Sequence, residues 1–218
     1  MVEKKITGFD YLYLALYAFA GIGLELVLVN VIEPLFGMQM NTFTVTQHII
    51  HWIITSILWL AVGILLIQLA KNKYEFDLWG YTSKFKKWQY IGVLLCMVVS
   101  LTAHYIDWGG FKPWIEFQRL GVLKFSFQYI YYVLEAFLIS LIVIFGQRAC
   151  EKWFNNEKLP YGGIVLALSW GLMHIVSKGS IQAGLFTAFY GFLFGSAYLV
   201  AGKDYKKALP LMCFMFII

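Results

Sequence analysis

The chain has 218 residues, of which 61% are hydrophobic and only 13% charged, with a mean hydropathy of +0.71 and a formal net charge of +5. Apolar runs recurring about every 30 to 40 positions exclude a soluble globular domain and predict an integral membrane protein. Nucleic acid is excluded as the reason for the positive charge, because basic loops facing an anionic leaflet account for it.

A hydrocarbon core about 30 Å thick needs roughly 20 helical residues. On that measure spans are predicted at 10–32, 49–70, 88–106, 128–146, 161–177 and 182–202, with a shorter seventh from near Ala208 to Ile218. The expected fold is all-α: a polytopic transmembrane helix bundle, one domain over 1–218, with six full spans plus a shorter seventh. The first run exceeds a signal-peptide core and is read as retained. Thirteen of the 17 basic residues fall before the first span or in alternate connections: Lys4, Lys5, Lys71, Lys73, Lys84, Lys86, Lys87, Arg148, Lys152, Lys158, Lys203, Lys206 and Lys207. Basic residues in short loops stay inside, so the N-terminus is expected to be cytoplasmic and the protein a multi-pass component of the cell membrane. Cys96, Cys150 and Cys213 are odd in number and unpaired in spacing, which predicts no disulfide framework.

Polar residues inside such spans are functional candidates by default, because hydrocarbon penalises them. Glu25 in the first span calls for a Lys or His from another helix. His48 and His51, three residues apart on one face of the second span, have metal-ligand spacing but no third ligand nearby in sequence, so a structural role is expected. His104 and Asp107 share that spacing at the end of the third span, where a capping or interfacial ion pair is expected. The connector DWGGFKPWIEFQRLGVLKFSFQ (107–128) alternates aromatic and charged residues at helical spacing and is predicted to lie on the membrane as an amphipathic anchor. After the fourth span, Arg148 and Lys152 are expected to anchor to lipid headgroups. In the sixth, Gly184, Gly191 and Gly195 with Ala188 and Ser196 make a close helix-packing surface.

Glu135 and His174 stand apart. Counted from the shared end of the fourth and fifth spans, Glu135 lies 11 residues from Gly146 and His174 lies 13 from Tyr161. At 1.5 Å per residue these are roughly 16 and 20 Å, so an antiparallel pair brings them to similar depth. There they would satisfy one another, or serve as a general base beside an oxyanion-stabilising group.

On these residues the chain resembles the CPBP (CAAX protease and bacteriocin-processing, or Abi) family of intramembrane peptidases, over about the last 90 residues and more loosely at FDLWGY and KKWQYIGVLL. That family carries E-E-x-x-x-R on one span, F-x-x-x-H on the next, a glycine-rich span, and a second histidine four residues before Asn or Asp. Here LEAFLI (134–139) falls at the first motif and WGLMH (170–174) at the second, while the segment 184–214 is similar to the span and turn leading to the third. The resemblance implies a peptidase-like core over about 128–218, with Glu135 as general base and His174 as oxyanion support.

The motifs are degenerate. Leu134 stands at the first glutamate, Ile139 at the arginine, Trp170 at the phenylalanine, and Cys213, Phe214 and Met215 where the second histidine would come. One Glu and one His are too few for a hydrolytic metal site, so neither a divalent metal nor another cofactor is expected. Two readings follow. In the preferred one, hydrolysis is weak or lost, and the protein binds a membrane-embedded or lipidated peptide or protein in an immunity or scaffold role. In the alternative it is an active CAAX-type endopeptidase, with Ser169, Ser177 or His104 replacing the missing donors. A transporter or channel is a further alternative, which would need broken helices or polar residues spread over several spans.

Overall fold

The computed structural model describes residues 6–218. Besides a 3-10 turn at Met40–Thr42, those residues form seven helical elements and no strand: α1 (Gly8–Leu35), α2 (Val45–Tyr74), α3 (Lys87–Trp108), α4 (Lys112–Phe154), α5 (161–178), α6 (Ile181–Val200) and α7 (Tyr205–Ile217). Five of them, α1 to α4 and α6, are long and apolar enough to cross a membrane. The other two are shorter. A π-helical turn at Ala167–Gly171 interrupts α5, and α7 has 13 residues with Pro210 inside.

Periodicity explains the arrangement. On α2 the buried residues His51, Thr55, Trp59, Gly63, Leu66 and Ala70 make one stripe at helical spacing, while Ile53, Ile57, Leu60 and Leu65 remain exposed. A helix apolar on every side but buried on one presents the rest to lipid. α4 differs, because the run Leu138–Phe145 is buried all round and packs against α1, α2, α5 and α7. It is the central helix. α6 approaches α5 at backbone distance: a Cβ on Gly195 would meet the Gly163 nitrogen at 2.3 Å, and one on Gly191 the Ala167 nitrogen at 2.8 Å. The expected glycine packing surface is therefore present, with α5 as its partner.

Alternating helix directions gather the connections at two ends. At the basic end, Phe9 and Trp153 rings stack edge-on at 4.9 Å, and Tyr11 donates its hydroxyl to the Tyr74 carbonyl at 3.2 Å. There Lys203 bridges Glu151 at 3.1 Å and Glu157 at 2.5 Å. Asp204 caps α7, accepting from the Lys206 amide at 3.1 Å and the Ser83 amide at 2.9 Å and pairing with Lys207 at 3.0 Å. Burial pushes the Asp204 carboxyl up, but those amides and the Lys207 ammonium outweigh it and hold the group below its ordinary value. Lys152 reaches the Ile6 carbonyl at 3.2 Å and Arg148 lies 3.8 Å from Glu151, so both have protein partners where lipid headgroups were expected.

At the opposite end, the expected surface-lying connector is corrected. α4 starts at Lys112 and bends at Gly121, whose φ of 72° and ψ of 169° is a conformation open to glycine almost alone. The arm 112–120 folds back onto the bundle. Glu116 is fully buried, accepting from Gln128 at 3.0 Å, Tyr129 at 3.0 Å and Tyr132 at 2.8 Å. Lys112 donates to the Phe216 carbonyl at 2.9 Å and lies over the Tyr132 ring at 4.7 Å. These polar partners sit just past the bend, so the charges are satisfied inside the bundle. Phe111 and Trp114 on the outer face stay exposed, as an aromatic anchor would.

Candidate functional site

The interior of that end holds most of the polar residues singled out in the sequence. Glu135 projects from α4 between Leu134 and Ala136 and keeps part of its surface accessible. Its Oε1 accepts from the indole Nε1 of Trp170 on α5 at 3.3 Å. His174, one turn on from Trp170, has its Nδ1 2.8 Å from the Trp170 carbonyl. A carbonyl only accepts, so Nδ1 carries a proton, and in the neutral ring Nε2 is the acceptor. Glu135 and His174 share no hydrogen bond or ion pair with each other. The direct contact expected between them is replaced by two bonds to one tryptophan, because the indole is long enough to reach α4 first.

The π turn contributes to this arrangement. It ends at Gly171, where a Cβ would meet Ala188 of α6 at 2.7 Å, so α5 is pressed close to α6 as it widens. Ser169 within it returns its hydroxyl to the Val165 carbonyl at 2.7 Å, and Ser177 is exposed. His104 stacks on Tyr190 at 4.3 Å between α3 and α6. No ion pair joins it to Asp107, a further correction: the imidazole turns inward to the ring of Tyr190. None of the three proposed replacement donors bonds to Glu135. From α7, where the resemblance calls for a second histidine, the Phe216 ring lies 6.0 Å from Trp170 and 5.7 Å from Tyr132.

A second polar group lies beside the first. Tyr131, one turn before Glu135 on α4, donates its hydroxyl to Glu25 Oε1 at 2.9 Å. The same oxygen is 3.2 Å from His51 Nε2, and His51 Nδ1 is 2.8 Å from Glu33 Oε1. Glu25 thus finds its partner in a histidine of another helix. Glu33 reaches the cluster because α1 contains a π turn at Leu28–Ile32. With one residue inserted, an eight-residue separation acts as seven, which leaves Glu25 and Glu33 only about 20° apart around the helix. The two groups are joined along α4, where Tyr131 and Glu135 lie one turn apart.

Metal binding is a poor fit. Among the described residues, no three His, Cys, Asp or Glu side chains are grouped to hold an ion. Glu25 and Glu33 occupy opposite nitrogens of His51 and so do not converge on one point. His48 takes no part, turning its Nδ1 to the Thr44 carbonyl at 3.1 Å.

Sequence reasoning missed Glu33, Tyr131, Lys112 and Glu116. Tyr131 had a signal, four residues before Glu135 and so on its face. Comparison of the chain with family models, curated proteins and solved structures finds no match.

Proposed function

We propose that the chain is a multi-pass cell-membrane protein built on a CPBP-like intramembrane peptidase core, with turnover weak or lost, that binds a membrane-embedded or lipidated peptide. The observation that carries this reading is Trp170. Its indole takes the only carboxylate at the motif position, and its carbonyl takes the histidine, so each group is already engaged within the protein. Hydrolysis needs those groups converging on one reacting carbon, and each missing oxyanion donor costs roughly 100- to 1,000-fold in rate. For binding, an apolar groove of about 270 Å³ between α2 and α4 runs from Trp52 and Phe127 to Leu134, the residue next to Glu135. An acyl or isoprenyl chain laid there would end beside the polar interior.

The assay incubates purified protein with lipidated peptides and bacteriocin-leader peptides beside a Glu135→Ala variant. Binding without cleavage is expected. Cleavage by the wild type that disappears in the variant would establish instead a working endopeptidase with Glu135 as base.

The topology that goes with this reading has six full spans and a shorter seventh, with the N-terminus cytoplasmic. In a cysteine-free background, Lys84→Cys should be labelled from the cytoplasmic side and Lys124→Cys from the other. Labelling of both from one side would overturn it.

A further inference from the structure

Four hydrogen-bonded groups run in sequence across three helices: Glu33, His51, Glu25 and Tyr131. The contacts are 2.8 Å from Glu33 Oε1 to His51 Nδ1, 3.2 Å from His51 Nε2 to Glu25 Oε1, and 2.9 Å from the Tyr131 hydroxyl to that oxygen. Glu33 is 3% exposed and His51 2%. Two independent features point further.

The first is the unpartnered second oxygen of Glu33, buried with no donor. The second lies on α2, where Thr55 and Trp59 follow His51 at successive turns on the same inner face, both fully buried, with Thr55 Oγ1 and Trp59 Nε1 also unpartnered. The Trp59 ring packs 4.7 Å from Tyr131, which closes the column back onto the chain. Among the described residues, six buried side-chain polar atoms have no partner, and three of them belong to Glu33 and to the α2 face that carries His51. Buried polar atoms are nearly always satisfied, so these are the positions where water can join the hydrogen-bonded chain.

We propose that Glu33, His51 and Glu25 form a proton relay, in which the imidazole passes a proton equivalent between two carboxylates. In one state Glu33 carries a proton on Oε1, facing the Nδ1 lone pair, while Nε2–H donates to ionised Glu25. In the other, the Glu33 O–H has broken and an N–H has formed at Nδ1, while the Nε2–H has broken and an O–H has formed at Glu25. Two protons shift, none is gained or lost, and the negative charge moves from Glu25 to Glu33. Tyr131 holds Glu25 in place in both states. The groups around the relay are Glu25 and Glu33 from α1, His51 from α2, and Tyr131 and Glu135 from α4; His48 is turned to the Thr44 carbonyl at 3.1 Å, and Lys124 lies over the Trp52 ring at 6.0 Å. The ligand is a proton because the carboxylates do not converge as metal ligands must, whereas an imidazole bonded at both nitrogens is a proton carrier. The relay is independent of peptide binding, and failure of one leaves the other standing.

The test uses the full chain in lipid nanodiscs, labelled with ¹⁵N-histidine, with the other three histidines replaced by Gln and the melting transition checked for each variant. Two readouts are taken across pH: the His51 ring-nitrogen resonances and the infrared C=O stretch of protonated carboxyls in ¹H₂O and ²H₂O. The relay predicts a deuterium-sensitive carboxyl band that Glu25→Gln removes in part and Glu33→Gln alters. It also predicts that Glu33→Gln shifts the His51 Nε2 resonance, on the side of the ring facing Glu25. Coupling from Glu33 to the Glu25 band should vanish with His51→Gln. A His51 ring fixed in one protonation state throughout, with no carboxyl band dependent on Glu25 or Glu33, would overturn the proposal. That result requires no variant of His51 itself.

Discussion

Trp170 donates its indole N–H to Glu135 across 3.3 Å, a side-chain bond from the fifth helix to the central one. Trp170→Phe keeps most of the ring and removes the donor. Leaving this half-buried carboxylate short of one hydrogen bond costs about 0.5 to 1.5 kcal/mol, which should lower the thermal midpoint in detergent. In a Glu135→Leu background the same change should cost much less, because no acceptor remains to be orphaned. Equal losses in both backgrounds would show that Trp170 acts by packing alone.

Two glycines in helical segments should respond in opposite directions. Gly23 has nothing within 4 Å of an added Cβ, whereas Gly195 faces the Gly163 backbone at 2.3 Å. Gly23→Ala is expected to be neutral or stabilising by up to about 1 kcal/mol through helix propensity. Gly195→Ala forces α5 and α6 apart, at roughly 1 to 3 kcal/mol or more. Melting of the two variants side by side measures the contrast.

Gly121→Ala tests the bend. A β-carbon at φ 72° and ψ 169° introduces strain of about 1 to 3 kcal/mol, relieved by straightening the turn. Straightening would withdraw the arm 112–120 and expose Glu116. Amide hydrogen exchange over that arm should therefore rise, with the helix 122–154 little changed. Unaltered protection of the arm would mean that the Glu116 network alone fixes its place.

The Asp204 cap gives an acid-dependent term. Its carboxyl is held below its ordinary value, so its contribution is present above the unfolded-state value and is lost as pH falls through the folded-state one. Asp204→Ala removes the cap and should cost about 0.5 to 2 kcal/mol at neutral pH. Its melting temperature should then approach that of the wild type in acid. Parallel pH profiles for the two proteins would argue against the carboxylate as the source.

Much of the fold was written locally. The all-helical class, the lipid-facing apolar runs and the basic connections follow from composition and period, which each stretch carries without its neighbours. The glycine surface on α6 was legible for the same reason, since small residues at three- and four-residue steps announce close packing wherever they occur. Glu25 announced its need for a basic partner, although not which one. What the sequence did not carry were the two π turns, the bend that buries Glu116, and the tryptophan that stands between Glu135 and His174. Each depends on which side chain reaches a partner first across helices distant in sequence. One inserted residue in a helix rotates everything beyond it by about 100°. That rotation brings Glu33 onto His51, and only the packed bundle, where a buried charge must find its partner, decides that the insertion is made.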